Sequence, residues 1–207
     1  RIIRDKNAPN IARATAINEL RPFLSPLSGQ VVQTALTDKS ALVRFAALEI
    51  LDALPPENRY PFAAALLNDP VLLVRSEAAR IAAPGLRGDL SPQERALLQK
   101  GIQEYTDTQM QNAERAESHL NLGNMHLGSG DTIAAEKAYR TAIKLDRKFG
   151  PAYTNLADLY RMQSMDKAAE QVLMEGISVL PNDATLYHAQ GLLLARNQQM
   201  DAALIAL

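Results

Sequence analysis

The chain has 207 residues, 47% of them hydrophobic and only 5% aromatic, with 22 Lys and Arg against 23 Asp and Glu for a net charge of −1. That is enough apolar material for a sizeable core, in one extended domain or two small ones, which excludes a disordered tail; the balanced charge, without a block of one sign, argues against a nucleic-acid surface or a polybasic membrane anchor. The absence of cysteine excludes disulfides, thiolate metal sites and a Cys nucleophile, and no stretch approaches the roughly 18 apolar residues of a membrane span.

Ala, Leu, Glu, Arg and Gln abound while β-branched runs are rare, which predicts an all-α protein. The first helices recur. "DKSALVRFAALEIL" from Asp38 and "DPVLLVRSEAARIA" from Asp69 stand at a fixed offset, pairing Val43 with Val74, Arg44 with Arg75, Ala47 with Ala78 and Ile50 with Ile81. A weaker copy, "NAPNIARATAINEL" from Asn7, lies one such offset earlier with Arg13 and Ala16 in register. Helices are expected over 9–21, 29–37, 40–53, 57–68 and 71–82, with Pro55-Pro56 and Asp69-Pro70 as start signals. The Asp, Val-Arg, Ala pattern is similar to short HEAT-like repeats. That resemblance implies that Asp38, Asp69, Arg44 and Arg75 form a ladder of inter-repeat ion pairs and helix caps, not an acid–base array.

"APGLRGDLSP", 83–92, reads as a break, after which Ser91-Pro92-x-Glu94 caps a helix of about five turns running to near Asn112. The expected organisation is HEAT-like repeats over 1–83, a linker and connecting helix over 84–115, and a second array over 116–207.

In that second array a constant shift aligns "AESHLNLGNMHLGSGDTIAAEKAYRTAIKLDRKF" from Ala116 with "GPAYTNLADLYRMQSMDKAAEQVLMEGISVLPND" from Gly150, and a second equal shift reaches "ATLYHAQGLLLARNQQMDAALIAL" from Ala184. The matched columns are His119, Tyr153, Tyr187; Gly123, Ala157, Gly191; Ala135, Ala169, Ala203; and Tyr139, Leu173, Leu207. Small residues recur where helices must cross closely, and large ones where their flanks fill the gap. Period and pattern resemble the tetratricopeptide repeat, a helix–turn–helix unit of about 34 residues. Full repeats fall at 116–149 and 150–183 and a truncated one at 184–207. The two resemblances together imply a right-handed helical solenoid. His119 and His126 in aromatic columns, Arg147 in the column of Pro181 and Gln190 in the column of Leu122 and Leu156 depart from the pattern.

"GNMHLGSG", 123–130, invites a phosphate-loop reading, but Asp131 places a carboxylate where the anion would sit and no Lys-Ser/Thr pair follows. The repeat register makes Gly128-Ser129-Gly130 the turn of a helical hairpin and Gly123 a helix-contact residue. His119, His126 and His188 are the only groups for near-neutral proton chemistry. His119 and His126 stand about 10 Å apart along one helix face, too far to share a metal, and no carboxylate or nucleophile converges on any of the three. The residue pattern therefore carries no catalytic constellation, no metal site and no cofactor site.

Function should lie in a groove. In tetratricopeptide arrays the first helix of each repeat lines the binding face, and by that analogy the face offers Leu120, Asn124, Leu127, Thr154, Asp158, Arg161, Met162, His188, Leu192 and Arg196 to a partner protein or peptide. Some family members clamp a peptide carboxylate with Lys and Asn. Asn124 and Asn155 suit the Asn positions, but Leu120, Thr185 and Ala189 stand where the cations belong, which disfavours a clamp.

The order of parts, with "LSPQERALLQ" between the arrays, resembles the C-terminal half of bacterial multihaem cytochrome c proteins. That resemblance implies an alternative role as the docking or assembly arm of an electron-transfer protein, with haem c held in an upstream domain and export to the periplasm; a cytoplasmic scaffold is the other expectation. The chain begins at Arg1 without Met and ends in the apolar "MDAALIAL", so it reads as a piece of something longer. Self-association through 184–207 is expected from that apolar end.

Overall fold

The computed structural model describes residues 2–23, 26–84 and 90–206, and the side chains of 26–28 lie outside the description. Every described element is a helix or a helical turn, as the composition predicts. Two compact units follow one another in the chain, Arg1–Thr108 and Gln109–Leu207.

In the first unit the helices α1 (Asn10–Asn18), α3 (Ala41–Ile50) and α5 (Leu72–Ala82) start at the regular offset of the sequence copies and pack in succession. α2 (Pro26–Ala35), a short α4 (Tyr60–Ala63) and α6 (Pro92–Met110) complete it. The repeated columns form the core. Val43, Val74, Ile50, Ile81, Ala47 and Ala78 are all buried, which is the apolar face that no helix of this length can hide alone. On α6, a Cβ added at Gly101 would lie 2.6 Å from the Ala79 side chain, so the missing side chain is what lets α6 reach α5.

The expected helix over 57–68 is broken instead into a tight turn at Pro56–Asn58, α4, and a second tight turn at Ala64–Asn68. Pro61 lacks a backbone N–H and disfavours helical geometry at the residue before it, so a regular helix cannot run through. Arg59 ties the segment down by donating to the Leu54 and Asp52 carbonyls at 2.9 and 2.8 Å. The expected break at 83–92 lies partly outside the described residues. Its far end carries the expected capping box: Ser91 N–H donates to Glu94 at 2.9 Å and Glu94 N–H to Ser91 Oγ at 3.3 Å.

The charge ladder forms between consecutive repeats. Arg13 pairs with Asp38, and Arg44 donates to both Asp69 oxygens at 2.6 and 2.9 Å. Arg44 also clamps the carbonyls of Asp38 and Lys39 at 2.8 and 3.1 Å, and Arg75 repeats that clamp on Asp69 and Pro70 at 3.3 and 3.2 Å. Arg75 turns to Glu104 of α6 at 2.6 Å for its acid. The aspartates do not cap a helix directly. Each binds the N–H two residues on, Ser40 or Val71, in a turn just ahead of the helix.

In the second unit α7 (Ala116–Gly128), α9 (Gly150–Met162) and α11 (Ala184–Arg196) open the three successive repeats at equal spacing, and their partners α8 (Thr132–Leu145), α10 (Asp166–Val179) and α12 (Met200–Ala206) keep the same spacing. Ala135, Ala169 and Ala203 are all buried, as are Tyr139 and Leu173; Leu207, the last of that column, lies outside the described residues. A Cβ at Gly123 would run into the Tyr139 ring, which accounts for the glycine.

The hairpin turns share one backbone form. Gly130, Ser164 and Gln198 occupy equivalent positions in the three repeats and have φ of +83°, +59° and +62°. The N–H after each donates five residues back, Asp131 to His126, Met165 to Tyr160 and Gln199 to Leu194, at 2.9–3.0 Å. This left-handed helix ending is a Schellman motif, so Gly128-Ser129-Gly130 is a helix stop and its N–H groups serve the helix that precedes them.

The column His119, Tyr153, Tyr187 is unified by a bond that the sequence does not display. His119 Nε2 contacts the Ala113 carbonyl at 2.9 Å, Tyr153 OH donates to Arg147 at 3.1 Å, and Tyr187 OH to Pro181 at 3.2 Å. Each reaches a carbonyl six residues upstream. A carbonyl only accepts, so the His119 Nε2 carries the proton, and histidine replaces tyrosine here without losing the link.

Burial opposes ionisation of Asp69, but hydrogen bonds from Arg44 and Val71, with the Arg44 and Arg75 charges, hold its carboxyl below the ordinary value of 3.8. Its contribution is therefore complete above that ordinary value and is lost as pH falls through the depressed one. Asp69→Ala should cost about 3–5 kcal/mol at neutral pH by stranding Arg44, and urea melts at falling pH should show a shallower acid loss in Asp69→Asn than in the parent. Ala135→Leu should cost about 1–3 kcal/mol by overpacking, with exposed Lys137→Leu near neutral; equal melting of the two would reject the repeat register. Ser164→Gly should raise stability by up to about 1 kcal/mol, while Gly130→Ala lowers it by about 1–2 kcal/mol, since only glycine adopts that backbone without strain.

Candidate functional site

Within the second unit, α9 and α11 lie side by side with α10 behind them and enclose a groove of about 540 Å³. Thr154, Asp158 and Arg161 come from one face of α9, and His188, Leu192 and Arg196 from the facing side of α11. Spacings of three and four residues bring each set onto one helix face. The floor is Ala157, Ala169, Leu173, Ala189 and Leu193, small or apolar residues that let the helices approach closely.

The charges at the rim are answered locally. Arg161 donates to Asp158 at 3.0 Å within α9, and Arg196 stands 3.9 Å from Asp166. These exposed pairs hold little energy and are free to exchange partners. The Thr154 hydroxyl donates to the Pro151 carbonyl at 3.0 Å. Among the described residues no three His, Cys, Asp or Glu side chains gather as a metal site. What the groove can do chemically is bury apolar side chains and exchange ion pairs at its edge.

Six of the ten residues expected on the groove are thus brought together. The other four lie elsewhere. Leu120 and Leu127 are half-buried and pack against the core of the unit, and Met162 is 64% exposed but not part of the groove wall. Asn124 holds the first two repeats together: its Oδ1 accepts from Tyr139 OH and from Asn155 Nδ2, both at 2.8 Å. Burial pushes the Tyr139 hydroxyl up to about 12, against a bond from Asn155 and aided by the Asp158 charge, so it remains a neutral donor. Asn124 and Asn155, the two Asn residues of the carboxylate-clamp pattern, are therefore bonded to each other.

Two features of the first unit have no counterpart in the expected site. Ile11, Leu42 and Leu73 form a column at the offset of the Arg ladder and are 63%, 43% and 55% exposed; the offset itself would have revealed them. A polar cleft of about 570 Å³ is lined by Lys6, Asn10, Arg13, Asp38, Lys39 and Ser40, with Thr34 and Thr37. No run of charge marks it in the sequence, because its residues come from two separated segments, 6–13 and 34–40.

Fold and groove together define a helical-repeat protein. Residues 116–149 match the tetratricopeptide repeat. The photosystem I assembly protein Ycf3 of Cyanophora paradoxa is 32% identical over 89 residues, a match that spans 43% of this chain and 51%, about half, of that protein. The crystal structure of MamA protein is similar with a TM-score of 0.47 at 17% identity, covering 95% of this chain and 87% of that one.

Asn124→Leu should cost about 1–3 kcal/mol, because Tyr139 and Asn155 lose their common acceptor. Asp158→Asn, on the exposed rim, should stay within about 0.5 kcal/mol of the parent in chemical denaturation.

Proposed function

We propose that the protein is a non-catalytic interaction scaffold that seats a partner protein or peptide in the groove between α9 and α11. One observation carries this reading: residues taken from the repeat columns converge on a groove whose floor is apolar and whose rim charges are held only in exposed local pairs. An incoming chain with apolar side chains two or three residues apart and charges at its flanks would cover the floor and exchange the rim pairs. Ycf3 is described as an assembly protein, and assembly through protein contact is the part of that description consistent with this groove. The chain on this reading has no reaction of its own.

Self-association through 184–207 is a second docking mode, supported by Leu204 and Ile205 of α12, which are 75% and 88% exposed. The upstream haem domain and the periplasmic setting rest on the order of parts alone, and haem-attachment motifs with an export signal in the gene ahead of Arg1 would support them.

The test uses Leu192→Arg together with Thr154→Arg, two substitutions that fill the groove from opposite walls. The double variant should melt like the parent yet lose the partners that the parent captures by crosslinking from native extract. Retention of the same partners at the same yield would refute the groove as the docking site. A Leu204→Glu, Ile205→Glu variant separates the second mode: light scattering over a concentration series should show less association than the parent.

A further inference from the structure

The three rungs of the charge ladder are unequal. Arg44 uses its Nε, Nη1 and Nη2 on Asp69 and two carbonyls, and Arg75 uses Nε and Nη1 on Glu104 and two carbonyls. Arg13 is as deeply placed, with its side chain 5% exposed, yet only its Nη2 is engaged, by Asp38. Its Nε is buried with no acceptor among the described residues. A buried guanidinium N–H without an acceptor is costly, and natural proteins leave few of them.

Arg13 lines the polar cleft of the first unit, and the cleft carries charge to match. Asp38 has both oxygens engaged, one by Arg13 and the other by the Ser40 N–H at 2.9 Å, so the Arg13 and Asp38 charges cancel. Lys6 and Lys39 remain. Both are exposed, both line the cleft, and neither is paired with a carboxylate among the described residues. The hydroxyls of Thr34 and Thr37 are already donated to the carbonyls of Gln30 and Thr34, so the Ser40 hydroxyl and the Asn10 amide are the neutral donors left on the wall.

We propose that this cleft binds a dianionic oxyanion of the phosphate class, held by the Lys6 and Lys39 ammonium groups over Arg13. Two uncompensated lysine charges match a dianion, and ammonium groups on flexible stems close on phosphate oxygens as point charges. The anion also offers the acceptor that Arg13 lacks. An oxygen accepting from Nε–H would give Arg13 the second partner that Arg44 and Arg75 already have. The phosphate has two sources, free in solution or carried on the side chain of a docked protein, and both present the same oxygens to the cleft.

The test is carried out on the whole chain by ¹⁵N NMR at constant ionic strength, titrating inorganic phosphate against chloride. Arg13 Nε–H, assigned by its loss in Arg13→Lys, should shift saturably with phosphate. The variant Lys6→Gln, Lys39→Gln changes only exposed side chains, so it should fold like the parent and bind roughly tenfold or more weakly. A short peptide with one phosphoserine, compared with its unphosphorylated form, identifies the source: tighter binding of the phosphopeptide than of phosphate points to a partner's side chain, and equal binding to the free ion. Absence of a saturable shift with either probe, or a shift unaltered in the double variant, would overturn the proposal. This outcome is independent of the groove on α9 and α11, whose variants leave the cleft untouched.

Discussion

A helix with one apolar face needs a neighbour close enough to exclude water, and closeness here depends on side chains that are missing. Gly123 lies under the Tyr139 ring, Gly101 against Ala79, and Gly176 against Tyr153 and Leu186. At Gly123 and Gly101 a single methyl group would force the neighbouring helix to shift, and at Gly176 it would press on the Tyr153 and Leu186 side chains. The large residues then complete the seal. Tyr139 and Tyr153 are wholly buried and fill the width that the small residues leave to either side. The groove beside α9 and α11 lies next to the Gly176 crossing, and the Arg75–Glu104 rung next to that of Gly101.

The two arrays secure successive repeats by different means. The first uses charge: an arginine of one helix holds an acid of the next, and Arg44 and Arg75 also hold the carbonyls ahead of their own helices. Such pairs add little net stability over an apolar substitute, but an error in register leaves a charge unanswered, so the penalty falls on wrong arrangements. The second uses neutral hydrogen bonds and backbone geometry. An aromatic or histidine side chain reaches a carbonyl six residues upstream, an Asn pair joins the first two repeats, and each hairpin closes through the left-handed turn at Gly130, Ser164 or Gln198. Backbone closure makes little demand on the turn sequence. Ser164 and Gln198 occupy a conformation that favours glycine and are held there by the helices on either side.

The period was the most legible feature, since apolar columns recurring at one fixed offset in each array give the start of helix after helix. The Arg–Asp ion pairs were legible too, because their recurrence in register is hard to reconcile with a single active site, whereas the expected capping role of the aspartates and the Arg75 pairing with Glu104 were not. What sequence could not give was anything set by crossing geometry. Leu120 and Thr154 share a column, yet one packs on the core and the other on the groove, because the neighbours on each side of their helices differ. The broken stretch at 57–68 was hidden by apolar residues that suit a helix, with Pro61 the one signal against it. The left-handed turns at Ser164 and Gln198 were hidden because neither residue announces such a backbone. The polar cleft was unreadable for a third reason: Lys6 and Arg13 lie on one segment and Lys39 on another, and the two meet only after folding.

The unequal depth of the rungs exposes them unequally to salt. Arg44 and Asp69 keep only 11% and 4% of their side chains exposed, whereas Asp38 of the first rung and Arg75 of the third keep 20% and 21%. Salt screens exposed charges over a Debye length of about 8 Å at physiological ionic strength, and buried pairs much less. The middle rung is therefore the one that salt weakens least, and the outer two lose more of their attraction as salt rises. The salt dependence of the first array's stability enters at its two ends, and its middle is insulated from the surrounding electrolyte.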